Sequence, residues 1–591
     1  MSSRKPVSMR RSSFLAAAAV GAALMAGACS SLDTTNPNAP DAQRAFSDPA
    51  GLQQLLGGAI RTWVETRGDY FGALPMTMMA DSYTASWNNA AIRFYNSVGV
   101  ECASRCGWNN SSTAPEAAGG PSIESQWYGY YTVLSSANDV LRGINAGICF
   151  DTNCATDNKL TSRNKAIAKM LQGMAYAGIA MVYDQGYVAD STEIKTNTGA
   201  LDFSPRLAVR DSALAKFNQA YTEAGLKTWT TPTEWMGVGS GKVYTNTQIR
   251  QLIRTMQAEL LAMYPRDMGE NTAAGTSNWA QVATYAAAGI SSGTPFDFEF
   301  YIDASGRECG LDCIKTWGGS SETARVDTRV AAIVTTNHVR PWPENGIGNP
   351  CPTVSADKRV GDGSYGPEDD FNGDGTLAAT PNAGTDFACM EVAIFPAARG
   401  QYHQSNLQHI RYERLAYRGE DLPGSDGTGQ DPFYTTQMND LLWAEGLLRS
   451  GGNAVTAAGL INNSRVNRGG LAPLTGAELT PVLLAAVQYE MEIEFMGQGP
   501  TPFFNRRRLT DFLQSSRGNG GLNVCPCTMS GTPLQMPVPA KEMDVLRRAI
   551  YTYGGTQPIK LMAPGTEGRE TVADRWRQFQ EAKALANFLR K

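Results

Sequence analysis

The sequence predicts a mainly α-helical protein in which paired helices form a scaffold and a long, loop-rich insertion interrupts it. Apolar residues recur at helical spacing near both ends of the chain, as at Ile167 and Met174. Residues 291–432 are instead punctuated by Gly, Pro, Asp and Asn, while Phe298 and Phe300 alternate as in a short strand. With 42% hydrophobic and 18% charged residues, the chain is a folded protein able to bury a sizeable core.

Capping residues and glycines delimit the predicted helices. Thr480 followed by Pro481 predicts the start of one helix, because Thr caps and Pro suits the first turn. Gly451 with Gly452 predicts the end of the preceding hairpin's first helix. The candidate N-caps of three earlier helices are Asp211, Thr245 or Asn246, and Ser277.

The first residues form a secretion signal. Basic residues precede an apolar stretch, residues 14–25, that is too short to span a bilayer. Small residues directly before Cys29 resemble a bacterial lipobox, in which Cys29 is lipidated and becomes the new N-terminus. Residues 1–28 are therefore interpreted as a lipoprotein signal peptide and residues 29–45 as a flexible tether. An ordinary signal peptide that is cleaved elsewhere is the alternative.

Charge and motif content exclude several classes of function. The formal net charge of -5 does not suit phosphate backbones, so no nucleic-acid partner is expected. The chain has 3 histidines and lacks a His-Glu-x-x-His motif, a Gly-x-Ser-x-Gly elbow and a phosphate loop, so no catalytic residue is assigned. Glu490, Glu492 and Glu494 are interpreted as a helix face that is solvated or paired with the arginines at 506–508.

A series of features near the C-terminus resembles a known family. A helix with the pair Ala444 and Glu445 is followed by an Asn-x-x-Arg-x-x-Gly-Leu-type close, the Glu-rich helix, and Phe504 before three arginines. Upstream, a Trp-Tyr helix runs into an Ala-Asn pair, and a long helix ends in a Tyr-Asp-x-Gly turn at 183–186. This order and spacing resemble the SusD/RagB family of outer-membrane nutrient-uptake lipoproteins, over most of residues 46–550.

The resemblance implies a tetratricopeptide-like helical-repeat scaffold and a function. It implies a non-catalytic, cell-surface binding lipoprotein of the outer membrane that captures a nutrient. The nutrient is expected to be an oligosaccharide or another small nutrient, handed to a SusC-like TonB-dependent outer-membrane barrel. A surface-tethered secreted hydrolase and a peptide-binding member of the same family remain the alternatives.

The predicted domain organisation is a single SusD-like domain over residues 46–591. Its helical scaffold covers about 46–290 and 433–550, and its loop-rich, ligand-facing insertion covers about 291–432. Residues 551–591 form a C-terminal extension without an assigned role.

Cysteine usage agrees with export, since an even number of cysteines in near-neighbour pairs suggests disulfides. Cys525 and Cys527 flank a single proline, so their connectivity is left open. The disulfide candidates are Cys102 with Cys106, Cys149 with Cys154, Cys309 with Cys313, and Cys351 with Cys389.

Aromatic residues in the loops are the candidate ligand-binding groups. Trp87, Asn88, Trp108 and Trp317 are chosen because aromatic faces stack on the C–H faces of sugar rings while amides bond hydroxyls. A stapled surface loop without a ligand is the alternative for the region of Trp87.

A candidate calcium loop lies inside the insertion. Asp370, Asn372, Asp374 and Thr376 place oxygen ligands at alternate positions, with a glycine at the sixth. The twelfth position, normally Glu, is Pro381. A solvated Asp/Gly turn is the alternative, and no cofactor is otherwise required.

Overall fold

The computed structural model describes most of the helical scaffold and parts of the insertion. The described residues are 48–84, 91–96, 105–108, 110–111, 120–190, 202–239, 241–302, 312–320, 323–334, 355–361, 384–389, 404–405, 407–412, 415, 429–509, 528 and 531–553.

Helices dominate the described residues, and the strands among them are short. The helices are α1 (Pro49–Arg67), α2 (Ala73–Met79), α3 (Ile92–Asn96), α4 (Gly120–Asn145), α5 (Lys159–Val182), α6 (Arg206–Ala224), α7 (Asn246–Met263), α8 (Met268–Ala273), α9 (Gly275–Ala287), α10 (Cys313–Gly318), α11 (Thr328–Val334), α12 (Thr436–Ser450), α13 (Ala454–Arg465), α14 (Thr480–Glu494), α15 (Thr501–Arg507) and α16 (Ala540–Val545). The strands are β1 (Tyr83–Thr84), β2 (Gln185–Tyr187), β3 (Phe203–Pro205), β4 (Phe298–Ile302), β5 (Arg325–Val326), β6 (Phe387–Cys389), β7 (Leu407–His409) and β8 (Gly429–Tyr434).

The long helices form one continuous array. In the order α1, α4, α5, α6, α7, α9, α12, α13, α14, each helix packs on the next, so each buries its apolar face mainly against its neighbours. Glycines set the closest approaches: a Cβ on Gly173 of α5 would lie 2.6 Å from the Phe217 ring, and one on Gly178 would overlap the Tyr130 ring. The predicted mainly α, helical-repeat fold is confirmed.

Local capping chemistry accounts for several helix ends. Thr245 closes a capping box with Gln248 at the start of α7, and Gly451 ends α12 with a left-handed φ of 75°. Three other predicted caps are wrong by position. Asp211 and Ser277 lie inside α6 and α9, whose helices begin earlier, and Thr480 is the first residue of α14 after Leu479.

The two ends of the insertion meet in a small sheet. The antiparallel pair of β4 and β8 joins residues near 300 to residues near 430, so the chain leaves and re-enters the scaffold at one place. Phe298, Phe300 and Ile302 point into the core with alternating burial, as the period of two predicts. The pairs β1 with β5, β2 with β3, and β6 with β7 form three further two-stranded sheets.

The Glu-rich helix α14 is buried instead of solvated. Glu490 and Glu494 are fully buried, and Arg359 from the insertion donates to them at 2.6 and 3.3 Å. Arg411, also from the insertion, donates to Glu494 at 2.7 Å. The prediction of a solvated face is wrong because cations far away in sequence cover these carboxylates, and the resulting network ties the insertion to the scaffold.

The arginines at the C-terminal end of α15 are buried as well. Arg506 pairs with Glu492 of α14, as one predicted alternative proposed. Arg508 donates to both carboxylate oxygens of Glu445 on α12, each at 2.8 Å. Burial alone would raise the pKa of Glu445, but Arg508 and Arg449, whose Nε donates to the same carboxylate at 2.7 Å, lower it to about 2.

Arg507 uses backbone carbonyls instead of carboxylates. Its guanidinium donates to the carbonyls of Met181 at 2.8 Å, Leu534 at 3.0 Å and Met263 at 3.1 Å. These carbonyls belong to the last turns of α5 and α7 and to the segment before α16. A cation at helix C-termini is favourable because the helix dipole places partial negative charge there. One short helix thus holds several distant elements in place.

We expect Arg359→Ala to destabilise the protein by roughly 3–5 kcal/mol, because buried Glu490 loses the guanidinium that donates to it at 2.6 Å, while Glu494 keeps Arg411. Urea denaturation of the mature protein measures this loss. Arg465→Ala is the matched control: its side chain is 21% exposed and lies 3.8 Å from Glu490. It should cost less than about 1 kcal/mol. Equal losses of stability in the two variants would show that the buried ion pairs of Arg359 contribute no more than the partly exposed contact of Arg465.

His409 is a buried, neutral imidazole that makes stability depend on pH. Its Nδ1 lies 2.6 Å from the Tyr83 hydroxyl, and burial with nearby cations lowers its pKa to about 3. The unfolded chain therefore takes up a proton below about pH 6.5 while the folded protein does not. Folding stability attributable to this group is complete above that pH and is lost as the pH falls toward 3.

We expect the free energy of unfolding to fall by roughly 1.4 kcal/mol per pH unit between pH 6 and 5 through His409 alone. His409→Gln should remove that component of the slope, because the amide does not titrate. Urea titrations at pH 7, 6 and 5 on both proteins measure it. Parallel curves for wild type and variant would contradict the assignment.

Candidate functional site

The predicted tryptophan platforms are not open to a ligand where the structure describes them. Trp108 and Trp317 are each 1% exposed. The Trp108 ring packs 4.5 Å from the Tyr95 ring centroid, and the Trp317 ring packs 5.7 Å from that of Tyr70. Stacking on a sugar needs an exposed ring face, so these two indoles act here as core residues. Trp87 and Asn88 lie outside the described residues.

The predicted metal and disulfide residues are described only in part. The calcium candidates Asp370, Asn372, Asp374 and Thr376 lie outside the described residues, and within those residues no group of His, Cys, Asp or Glu forms a metal site. Cys149 and Cys154, paired from the sequence, are joined with an S–S distance of 2.06 Å. Cys106 takes part in a disulfide, and Cys313 takes part in another. The remaining cysteine candidates that the structure does not describe are Cys29, Cys102, Cys309 and Cys351, and Cys389 is described only as part of β6.

A small internal cavity lies within the helical array. It has a volume of about 10 Å³, room for about one water molecule, between the Arg67–Glu259 ion pair and the Tyr434 ring. Arg67 donates to Glu259 at 2.7 Å, and the Tyr434 hydroxyl donates to the same carboxylate at 2.7 Å. Because the cavity is this small and its polar groups bond one another, it serves packing and not the binding of a nutrient.

A cluster of partly exposed aromatic side chains offers a larger site, which we call the tyrosine surface. Three elements supply it: one face of α4, the β2–β3 hairpin, and the segment that follows α16. Tyr128 is 40% exposed and is the most accessible aromatic side chain among the described residues. The members of the tyrosine surface are Tyr128, Tyr131, Tyr187, Phe203, Tyr551 and Tyr553, with the carboxylates of Asp184 and Glu542.

Helix and strand geometry bring the first rings together. Tyr128 and Tyr131 are three residues apart on α4, whose inner face buries Trp127. In the hairpin, Tyr187 is the cross-strand partner of Phe203, and their ring centroids are 4.6 Å apart. The Tyr131 hydroxyl donates to the carbonyl of Tyr187 at 3.1 Å, which fixes the hairpin on the helix.

The C-terminal segment completes the surface through Asp184. The hydroxyl of Tyr551 donates to this carboxylate at 3.0 Å and that of Tyr553 at 2.7 Å. Met536, which precedes α16, pairs in parallel with Tyr183 at the end of α5. Partial burial raises the pKa of Asp184, and its two phenol donors act in the opposite direction.

Glu542 lies beside the exposed rings. The Tyr187 hydroxyl donates to its carboxylate at 3.4 Å, and Tyr128 is a second hydrogen-bonding neighbour. Burial and this carboxylate raise the pKa of Tyr187 to about 12, so its hydroxyl stays protonated at neutral pH. The surface therefore offers ring faces, phenol hydroxyls and carboxylate oxygens together, which are groups that bind polyhydroxylated molecules.

The arrangement is suited to binding more than to catalysis. Its members are phenols that stay protonated and carboxylates that accept from them, and the Arg548 guanidinium lies 5.3 Å from the Phe203 ring centroid. Within the described residues, no imidazole or thiol lies beside them. His409 lies in a different, buried part of the protein.

Among the described helices, none combines the length and the apolar character that a membrane span requires.

The sequence contains recognisable parts of the tyrosine surface, but it does not show that these parts lie together in the fold. Tyr128 and Tyr131 were evident in the Trp-Tyr helix, and Asp184 in the turn that ends α5. Tyr551 and Tyr553 lie in the predicted extension, more than 360 residues from Asp184. The one available signal was the density of tyrosines in each stretch, which does not show that the stretches meet.

Comparison with known proteins identifies the fold. No family model and no curated protein matches the sequence. Among solved structures, a SusD homolog from Bacteroides thetaiotaomicron VPI-5482 matches with a TM-score of 0.56 and 15% identity, over 86% of this chain and 97% of that one. A SusD superfamily protein from Parabacteroides distasonis ATCC 8503 matches with a TM-score of 0.54 and 11% identity, over 83% and 97%.

A third solved structure agrees with these two. A SusD superfamily protein from Bacteroides vulgatus ATCC 8482 has a TM-score of 0.51 and 13% identity, with 84% of this chain and 97% of that one covered. The chain therefore has a SusD-like fold, as the resemblance in its sequence implied.

Proposed function

We propose that this SusD-like chain is a non-catalytic, cell-surface binding lipoprotein that captures an oligosaccharide nutrient. The observation that carries the proposal is the tyrosine surface, where partly exposed rings stand beside carboxylate and phenol groups. Aromatic faces stack on the C–H faces of sugar rings, while the polar groups bond the hydroxyls around them. The SusD-like fold supports the same class of function.

The proposal extends to the anchor and the partner. Cys29 carries a lipid that holds the protein at the outer membrane, and residues 29–45 let the folded part move relative to it. The captured nutrient passes to a SusC-like TonB-dependent barrel. These steps rest on the lipobox-like residues before Cys29 and on the sequence resemblance to the SusD/RagB family.

Two alternatives are outcomes of the same experiments. A tethered hydrolase would convert a glycan or peptide panel to products, although the tyrosine surface contains no evident nucleophile with a base. A peptide-binding member of the family would bind peptides and leave glycans unbound. A calcium ion at Asp370 to Thr376 would be an additional structural element, and the ligand proposal does not depend on it.

We expect Tyr128→Ala with Tyr187→Ala to weaken glycan binding at least about tenfold, because each variant removes a ring face. A neutral glycan array selects the ligand, and isothermal titration calorimetry then measures its Kd. Tyr128→Ala alone should change the melting temperature little, since Tyr128 is 40% exposed. Tyr187 packs on Phe203 with ring centroids 4.6 Å apart, so the melting transition of the double variant is measured before its Kd is compared.

Tyr301→Ala is the matched control, because Tyr301 is a half-buried tyrosine on β4, outside this surface. Its Kd for the same glycan should equal that of wild type. If the double variant binds the glycan as tightly as wild type does, the tyrosine surface is not the ligand site. Hydrolysis of array members would favour the tethered enzyme.

We expect a stoichiometric TonB-dependent barrel to copurify with the tagged lipoprotein from its own outer membrane in mild detergent. Mass spectrometry identifies the partner. Cys29→Ser should move the protein out of the membrane fraction, since the lipid acceptor is lost, while a folded chain is still produced. An abundant, intact lipoprotein that brings down no barrel would eliminate the transporter partner and favour a free-standing surface binder.

A further inference from the structure

Two arginines of α7 share one tyrosine of α6 at the end of the array distant from the tyrosine surface. The guanidinium carbon of Arg250 lies 4.1 Å from the centroid of the Tyr221 ring, and that of Arg254 lies 3.8 Å from it. The two arginines are four residues apart on one helix, a spacing at which like charges repel each other. Their electron-rich neighbour offsets only part of that repulsion.

Neither arginine has an acidic partner in the part of the chain that the structure describes. Most arginines of the described chain bind a carboxylate or several carbonyls, as Arg67 and Arg359 do. Within the described residues no carboxylate pairs with Arg250 or Arg254, and the Nε of Arg250 is buried without a hydrogen-bond acceptor. The nearby Glu223 bonds Lys165 at 3.0 Å instead. Among the described residues, these two arginines thus have no carboxylate as counter-charge.

The guanidinium of Arg254 is held in a fixed position. It lies between the rings of Tyr221 and Tyr285, whose centroid is 4.9 Å away. Its Nη1 donates to the side-chain carbonyls of Asn218 at 3.1 Å and Gln257 at 2.7 Å. Its remaining donors have no acceptor among the described residues. A guanidinium fixed in this way loses little conformational entropy when it binds an anion.

We propose that Arg250 and Arg254 form a binding site for an oxyanion, the carboxylate or sulfate ester of an acidic saccharide. The planar fork of a guanidinium matches such a group with two parallel hydrogen bonds. Asn218, whose side-chain carbonyl accepts from Arg254, is exposed, and the Tyr221 and Tyr285 rings flank the same guanidinium, so groups that can bond sugar hydroxyls lie beside the site. The oxyanion site stands on the two arginines, and only its assignment to a saccharide rests on the proposed function.

The site is separate from the tyrosine surface. Tyr221 lies in the last turn of α6, whereas the hairpin that carries Tyr187 joins the first turn of the same helix. Fifteen residues of helix separate the two ends, about 22 Å at 1.5 Å per residue. A saccharide chain with an acidic residue would therefore bind the oxyanion site independently of the aromatic rings on α4.

The test uses the full mature protein with three probes: trigalacturonate, neutral galactotriose and sodium sulfate. Calorimetry should show trigalacturonate binding that weakens as salt rises, because the attraction is partly exposed to solvent. Arg250→Gln with Arg254→Gln should weaken it at least about tenfold, since charge-assisted hydrogen bonds are lost. Arg61→Gln, which removes a half-exposed arginine paired with Glu65 at 3.3 Å, should leave the Kd unchanged.

Each outcome decides one question. Loss of trigalacturonate binding in the double arginine variant, with binding retained in Tyr128→Ala, supports the oxyanion site. Sulfate binding that the same variant abolishes, without trigalacturonate binding, keeps the anion site and overturns the saccharide assignment. Unchanged trigalacturonate binding in the double variant, or no effect of either anion on wild type, overturns the proposal. Failure of neutral glycans alone overturns the tyrosine surface and leaves this site standing.

Discussion

Burial of ionised guanidinium groups is the constraint on which the rest of the structure depends. Three consecutive arginines at the end of α15 each bind a different part of the scaffold. Arg506 binds α14, Arg507 binds the ends of α5 and α7, and Arg508 binds α12. A buried ion that loses its partner is costly, whereas the intact pair adds little net stability. These contacts therefore act mainly by excluding other arrangements of the helices. Arg359 does the same for the insertion, whose attachment passes through Glu490 and Glu494.

Periodicity predicted the helical scaffold, because each helix buries its face against near neighbours. Capping residues located some helix ends, such as the start of α7 at Thr245, and missed others. The same local information misassigned α14: its glutamates are covered by Arg359 and Arg411, which are 135 and 83 residues from Glu494. Trp317 was predicted as a ligand platform and is buried for a related reason. A tryptophan in a glycine-rich stretch shows the same local sequence pattern whether it lies on the surface or in the core. Long-range contacts, which no local pattern encodes, decided each case.

The two candidate binding regions share a physical logic. On the array, side chains not used in packing between helices remain available, and each region combines aromatic rings with polar groups already oriented by the protein. Around Asp184 the oriented groups are phenols and carboxylates, and around Arg254 they are guanidinium groups. Orientation before binding reduces the entropic cost of capturing a flexible ligand. A rigid helical scaffold therefore suits capture of a sugar without chemistry.

The parallel pairing of Tyr183 with Met536 has a consequence for biosynthesis. Domains generally begin to fold from the N-terminal side as the chain emerges, so α4 and the hairpin are in place long before residues 536–553 arrive. Three of the eight members of the tyrosine surface, Glu542, Tyr551 and Tyr553, thus come from a segment more than 350 residues away from the groups that they bond, Tyr187 and Asp184. A chain cut before residue 536 would keep the helices of the array and lack these three side chains. The surface is therefore assembled only when two distant parts of the chain meet in the folded protein.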